Sequence, residues 1–538
     1  MTAEAPQPAA PDLAAATAAR LGGRAIALAG LVVVGGVVLS RILGWARVAV
    51  FAAKFGSQSS DLDAFLAAFR IPDLLFQLVA AGALGSALVP VASGLLANGE
   101  ADRARRVVST VANLMMAALL PLAVVVWVLA PALVPAVAPI HEASKTSLEV
   151  DLTRWMLLSP VLLALAATMT AGLNAAGIFG APALAPNVYN AVIIACALLL
   201  TPVMGIYALA AGVILGAAGH VACQAPAVAR SGLYRPVLDT ADPAVRETLL
   251  LMAPRALGLG ATQIVFLVNT FFAVQLASGG LTVYTLAFTA LQIPVGLIGV
   301  PLGIVLLPPL SQAMARGDRE RFARLVDQSL RLLLYVVLPL TGLMAVLARP
   351  LLRLLFQYGD FGASGTAALE PVFLVFLIGL LAHVLISLLA PIFYSGKDTR
   401  TPVAAALVAV GVDVVAAAAL FPIMHLEGLA LAISLGAWVE VAILFGFLRR
   451  RTGFGLVLFG RSAVLMAPGA VAAAVVALAV DRAMGVAVGG PGAVALLAVD
   501  LGAAGLAGLA AYLAWSRLVH LPELAETLAL ARIVLRRP

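Results

Sequence analysis

Residues 103–137 read RARRVVSTVANLMMAALLPLAVVVWVLAPALVPAV. Arg103, Arg105 and Arg106 stand at one end, and no Asp, Glu, Lys or Arg occurs from Val107 to Val137. A bilayer core takes about 20 apolar residues of helix, so this run is long enough to cross one. Lipid offers no partner to a bare N–H or C=O, which makes a spanning run helical. The Ala, Leu and Val content also lacks the alternation of a barrel strand. Outward from here the pattern repeats, with apolar stretches centred near Val33, Val79, Val124, Leu163, Val192, Leu215, Phe266, Val300, Leu338, Ile378, Val410, Ser434, Ala473 and Gly505. Over all 538 residues, 63% are hydrophobic and 11% charged, and mean hydropathy is +1.08. Soluble domains carry about 25% charged residues. A soluble enzyme, a disordered chain and a nucleic-acid-binding domain are therefore excluded, despite a net charge of +7. The fold expected is an all-α polytopic membrane protein with about fourteen transmembrane helices.

Arginine and lysine set its orientation. One set of loops collects Arg103, Arg105, Arg106, Arg230, Arg235, Arg316, Arg319, Arg400 and the run Arg449-Arg450-Arg451. The opposite loops hold only Lys54, Lys145, Arg154, Arg349, Arg353 and Arg482. Both termini are thus expected in the cytoplasm. Residues 1–23 are polar and rich in Ala and Pro, without the basic start of a cleaved signal, and are read as a disordered cytoplasmic tail. Cys196 and Cys223 lie in apolar runs and give no disulfide framework or metal spacing.

The chain echoes itself. Pro90, Ser93 and Gly99 recur at the same spacings as Pro308, Ser311 and Gly317, about 220 residues on. Gly177…Pro182 is likewise matched by Gly396…Pro402. This repeat implies two parallel six-helix lobes, 24–230 and 244–452, followed by two C-terminal helices in 456–520 and a cytoplasmic tail, 521–538. Parallel repeats are a transporter architecture that works by rocking.

Ionisable residues inside spans cost about 2.5–3.5 kcal/mol each on insertion scales, so they face protein or water. The first two spans carry Arg41, Arg47 and Arg70. Arg41 and Arg47 diverge by about 120° on a straight helix. Asp63 and Arg70 fall on one face of a continuous helix, about 10 Å apart. Asp73 follows Arg70 at i+3, which leaves an ion pair and a cavity cation as alternatives for Arg70. Together these cations suit an anionic substrate, because guanidinium groups match diphosphate oxygens. In the second half, Asp413 and Glu440 are candidates to bind a coupling cation or proton, or to line a wet cavity. His220 and His383 read as packed side chains. No nucleotide loop, nucleophile triad or metal spacing occurs, so the chain is read as a transporter and not an enzyme. No cofactor is expected beyond a membrane potential or ion gradient.

The segments Ser40-Arg41-Ile42-Leu43-Gly44-Trp45-Ala46-Arg47, Phe69-Arg70-Ile71-Pro72-Asp73-Leu74-Leu75, Pro186-Asn187, Phe356-Gln357-Tyr358-Gly359 and Asp398-Thr399-Arg400-Thr401-Pro402 resemble the MurJ (MviN) family of lipid II flippases. That family belongs to the multidrug/oligosaccharidyl-lipid/polysaccharide exporter superfamily. The resemblance runs from about residue 25 to 455. It implies a multi-pass protein of the bacterial cytoplasmic membrane, working in cell-wall synthesis beside other proteins of that process. Its cargo would be an undecaprenyl-diphosphate-linked disaccharide-pentapeptide, moved to the outer leaflet. It further implies a cationic central cavity and a groove toward lipid formed with the last two helices. By position, Arg41, Arg47 and Arg70 match its substrate-binding cations, and Asp63 its acidic residue at the start of the second helix. Asp63 would then gate the cavity or hold an arginine. Three expected charges are replaced here, by Phe76, Ala81 and Thr289, and Arg255 is a candidate replacement. Those losses keep another polyprenol-linked glycan open as the substrate. A multidrug or cation exporter would want acids where this chain has Arg41 and Arg47. A recruiting scaffold would want larger cytoplasmic loops.

Overall fold

A computed structural model describes residues 23–79, 83–140, 142–276, 278–396, 398–452, 456–485 and 493–527. Among the described residues the regular elements are helices, with no strand. Eleven helices among the described residues are long and apolar enough to cross a membrane, and two shorter apolar ones, Ala87–Ala97 and Thr262–Ala273, accompany them. The longest run, Arg400–Thr452, is broken at His425, whose φ of 50° and ψ of −123° are not helical. Its two arms fold back on each other: a Cβ on Gly436 would lie 2.9 Å from the Ala409 carbonyl oxygen and 3.5 Å from Asp413 Cβ. The run is therefore an antiparallel pair of helices.

The stretch 60–79 departs from the continuous helix expected of it. It forms Ser60–Ala68 and Arg70–Val79, separated by a turn at Phe69. Pro72 has no N–H to offer the Ala68 carbonyl one turn back. The buried Thr153 hydroxyl donates to that carbonyl instead, at 3.2 Å. Asp63 and Arg70 therefore belong to two separate helices. A second irregularity follows Gly280–Pro294, where Val295–Gly299 makes a π-helical turn before Val300–Ala315. Pro294 and Pro301 flank it and remove two donors from the regular ladder.

By packing, the chain forms two units. One comprises Met1–Arg47, Ala68–Leu133 and Val150–Gly260. Its apolar core gathers Leu84, Leu88, Val107 and Val111 with Val245 and Met252. The helices Gly180–Leu199 and Tyr207–Ser231 pack so closely that a Cβ on Gly216 would lie 2.9 Å from the Tyr189 carbonyl oxygen. Only glycine admits that approach.

Residues 233–242 are sewn onto the Ala101–Val137 helix of the same unit. Ser109 Oγ accepts from the Arg235 N–H at 2.8 Å, and Thr110 Oγ1 from the Asp239 N–H at 3.0 Å. The Asn113 amide donates to the Val237 carbonyl at 2.9 Å, and the Tyr234 hydroxyl donates to Asn113 Oδ1 at 3.0 Å. Arg103 closes the seam, its Nε and Nη2 donating to Asp242 at 2.8 and 2.9 Å. This bidentate bond holds the Asp242 carboxyl below the usual carboxylate range.

The other unit comprises Val48–Ala67, Val134–Glu149 and Ala261–Pro538. Its central helix, Gly362–Ser395, buries Phe373, Phe376, Leu380 and Leu388. The helices Leu456–Met484 and Ala493–Leu518 pack on each other and on Arg319–Val346 through Met466, Ala470, Tyr512 and Tyr335. Within 521–538, read as a tail, residues 522–527 are helical and Leu521 joins that apolar cluster. Glu523 is buried there, 3.5 Å from Arg331 Nη1.

Candidate functional site

The polar constellation of the first unit is built on four helices, Gly23–Phe55, Arg70–Val79, Gly180–Leu199 and Tyr207–Ser231. The half-buried guanidinium of Arg47 lies over the Tyr189 ring, 5.9 Å from its centroid. That is within reach of the ring quadrupole, about 6 Å. Arg47 Nε is buried and has no hydrogen-bond partner. Asp73 interacts electrostatically with both Arg70 and Arg47 and is hydrogen-bonded with Gln77. Tyr189 also faces His220, with ring centroids 6.4 Å apart, and His220 Nδ1 is buried without a partner.

The structure thus brings Arg47, Arg70 and Asp73 together; of these, the i+3 spacing had offered only Arg70 with Asp73. Arg41 stands apart: it is exposed and has no ion-pair partner among the described residues. The Arg255 side chain lies outside the described residues. Sequence reasoning missed Tyr189. Its signal was available, as an aromatic hydroxyl two residues beyond Pro186-Asn187 in an apolar helix.

Asp63 occupies a different setting, in the second unit. Its Oδ2 accepts from the Gly279 N–H at 2.7 Å, and its Oδ1 from the Thr282 N–H at 2.8 Å and the Thr282 hydroxyl at 2.6 Å. These donors open the helix Gly280–Pro294, whose first N–H groups have no partner within the helix. The carboxylate meets both those groups and the positive end of the helix dipole. Gly279 makes the turn possible: its φ is 97°, and a Cβ there would fall 1.9 Å from the Ser57 carbonyl oxygen. Backbone amides and a threonine hydroxyl, not an arginine, are the partners of Asp63. Nearby, Lys145 pairs with Asp61.

Asp413 is buried in the second unit, 3.3 Å from the Asn269 amide nitrogen. Its Oδ1 and Asn269 Oδ1 are both buried without partners. Two oxygens left open in a dry setting favour a proton or a small cation. Glu440, on the other arm of the same hairpin, is half-buried. Thr289 donates to the Thr285 carbonyl at 2.7 Å, so its hydroxyl is spent within its own helix. Phe76 packs against Leu119, Val161 and Ala164, and Ala81 lies outside the described residues.

The model of the family described as lipid II flippase MurJ matches residues 51–498. The lipid II flippase MurJ of Burkholderia cenocepacia is 32% identical over 430 residues, covering 78% of this chain and 83% of that protein. The probable lipid II flippase MurJ of Rhizobium meliloti is 32% identical over 464 residues, covering 83% and 86%. Among solved structures, a lipid II flippase MurJ in an inward closed conformation has a TM-score of 0.74 at 20% identity, covering 91% of this chain and 98% of that one. An inward-facing multidrug resistance MATE family transporter of the MOP superfamily has a TM-score of 0.66 at 15% identity, covering 77% and 94%. These two likenesses concern the fold. From the family match and the two relatives, the chain belongs to the lipid II flippase MurJ family.

Proposed function

We propose that this protein carries lipid II, the undecaprenyl-diphosphate-linked precursor of peptidoglycan, from the cytoplasmic to the outer leaflet by alternating access. The observation that carries the reading is Arg47. A guanidinium within a span is costly unless it is used. Here it rests on an aromatic face, near one carboxylate, with Nε left without a partner. A diphosphate entering the membrane must exchange water for cations, and planar guanidinium donors meet its oxygens in pairs. Arg47 and Arg70 supply that charge, Asp73 orients them until substrate arrives, and Tyr189 holds the Arg47 plane. Arg41, exposed on the same helix as Arg47, serves as an approach cation, with Arg255 as a further contributor.

The chain has fourteen spans in two parallel six-helix lobes plus two C-terminal helices, lies in the bacterial cytoplasmic membrane, and keeps both termini in the cytoplasm. The arginine asymmetry of its loops supports this orientation. Asp413, with Asn269, is the coupling site for a proton or cation driven by the membrane gradient, and Glu440 assists from the adjoining arm. Other cell-wall synthesis proteins are its partners.

The test is replacement of the only copy in the host. Arg47→Ala should abolish growth and accumulate the precursor on the inner leaflet, and Arg47→Lys should restore part of the flux. Normal growth of well-expressed alanine variants at Arg41 and Arg47, alone and together, would overturn it. A second reading, another polyprenol-linked glycan, is favoured by the apolar packing of Phe76 and the self-bonded Thr289. The identity of the lipid that accumulates separates the two.

A further inference from the structure

A cavity of about 820 Å³ in the second unit is lined by none of the polar groups described above. One wall is a single face of the Arg400–Thr452 run, at positions 438, 441, 442, 445, 446, 449 and 450. That i, i+3, i+4 spacing is one continuous helical stripe. Leu381 and Leu385 form another wall, and Phe459 closes a side, its ring 5.4 Å from that of Phe445. The indole N–H at the apolar end is already used, since Trp438 donates to the Ile378 carbonyl at 2.9 Å. The trough is therefore apolar along its length and cationic at one end, where Arg449 and Arg450 are exposed with no carboxylate partner among the described residues.

We propose that this trough binds one anionic phospholipid of the cytoplasmic leaflet, an acyl chain along the 438–450 face and the phosphate on Arg449 and Arg450. The leaflet rests on the orientation proposed above; the site itself does not. Thirteen helical residues rise about 18–20 Å. One leaflet contributes about 15 Å of hydrocarbon. The trough thus runs from headgroup depth to near the bilayer centre and stops at Trp438, which fits an acyl chain. A polyprenol tail is far longer than this. Charge selects the headgroup: a zwitterionic lipid brings an ammonium that competes with the two guanidinium groups, and an anionic one does not. Each basic residue at the leaflet surface is worth about a factor of five in binding.

The test uses the full chain in nanodiscs of phosphatidylcholine with and without phosphatidylglycerol, with native mass spectrometry counting retained lipid. The wild type should retain phosphatidylglycerol through delipidation. Arg449→Gln with Arg450→Gln should weaken retention roughly twenty-five-fold, and the paired lysine variant should keep most of it. Gly446→Leu, one turn from Arg449, probes the acyl chain. A Cβ there meets nothing within 4 Å, so leucine fills the trough while favouring the helix. It should lose the lipid with the arginines intact. Equal retention by the wild type and both variants would overturn the proposal. So would displacement of the phospholipid by undecaprenyl diphosphate, which would assign the trough to substrate. Because the readout is binding, failure of flipping in cells leaves this result unaffected.

Discussion

Asp63 and Thr282 are joined twice: one carboxylate oxygen accepts both the backbone N–H and the hydroxyl of Thr282, at 2.8 and 2.6 Å. With the Gly279 N–H on the other oxygen, a residue more than two hundred positions upstream caps the Gly280–Pro294 helix. Losing a cap costs about 0.5–2 kcal/mol. Asp63→Ala should lower the thermal unfolding midpoint in detergent and depress transport together. Thr282→Val, which keeps the backbone bond, should do so less. An Asp63→Ala protein as stable as the wild type would show that the cap contributes nothing.

Thr153 and Pro72 make a compensating pair. Thr153→Val strands the Ala68 carbonyl, which costs about 1–3 kcal/mol for a buried group. Pro72→Ala in that background returns an N–H one turn away and should recover much of the loss. A double-mutant cycle on unfolding midpoints measures this, and strict additivity would refute the exchange of donors.

Asp413→Asn should leave expression and unfolding close to wild type yet stop transport, because an amide cannot carry the coupling charge. Asn269→Ala should weaken transport by loosening the geometry. Gradient-driven flux into vesicles is the measurement, and full activity of Asp413→Asn and of the double variant with Glu440→Gln would remove both acids from coupling.

The Arg103–Asp242 seam carries a pH signature. The folded carboxyl of Asp242 titrates below its unfolded value, so the seam's stabilisation is complete above the ordinary Asp range, near 3.9. It is lost as pH falls through the depressed folded value. Asp242→Asn should therefore lower the unfolding midpoint by a few degrees at neutral pH, and the difference from wild type should shrink on acidification.

Much of this was legible in the residues. Long apolar runs force helices, and Arg70 with Asp73 could be paired by their i+3 spacing, whereas Arg47, on another helix, joins them only through packing. The partners of Asp63 were not legible, since its donors are backbone amides, which every sequence has everywhere. The break at Phe69 was marked by Pro72. Reading Asp63 and Arg70 on one continuous helix required ignoring the carbonyl that proline leaves without its helical donor. Glu523 illustrates another limit: a charged residue in an apparent tail is buried because Arg331, far upstream, makes the burial tolerable. Tyr189 shows the reverse case, a visible polar group whose neighbour His220 is met only where two helices close at Gly216.

The seam between 233–242 and the Ala101–Val137 helix bears on the order of biosynthesis. Its bonds all join Arg103, Ser109, Thr110 and Asn113 to residues ending at Asp242. Every participant has been synthesised while more than half the chain is still untranslated. Domains fold as units in this N-to-C order. The strap can thus be fastened before most of the second half is inserted, and a ribosome stalled far enough on for Asp242 to have cleared its exit tunnel would display a docked segment, not a loose one. Weakening the seam would then act first on the yield of inserted protein, ahead of any effect on the mature transporter.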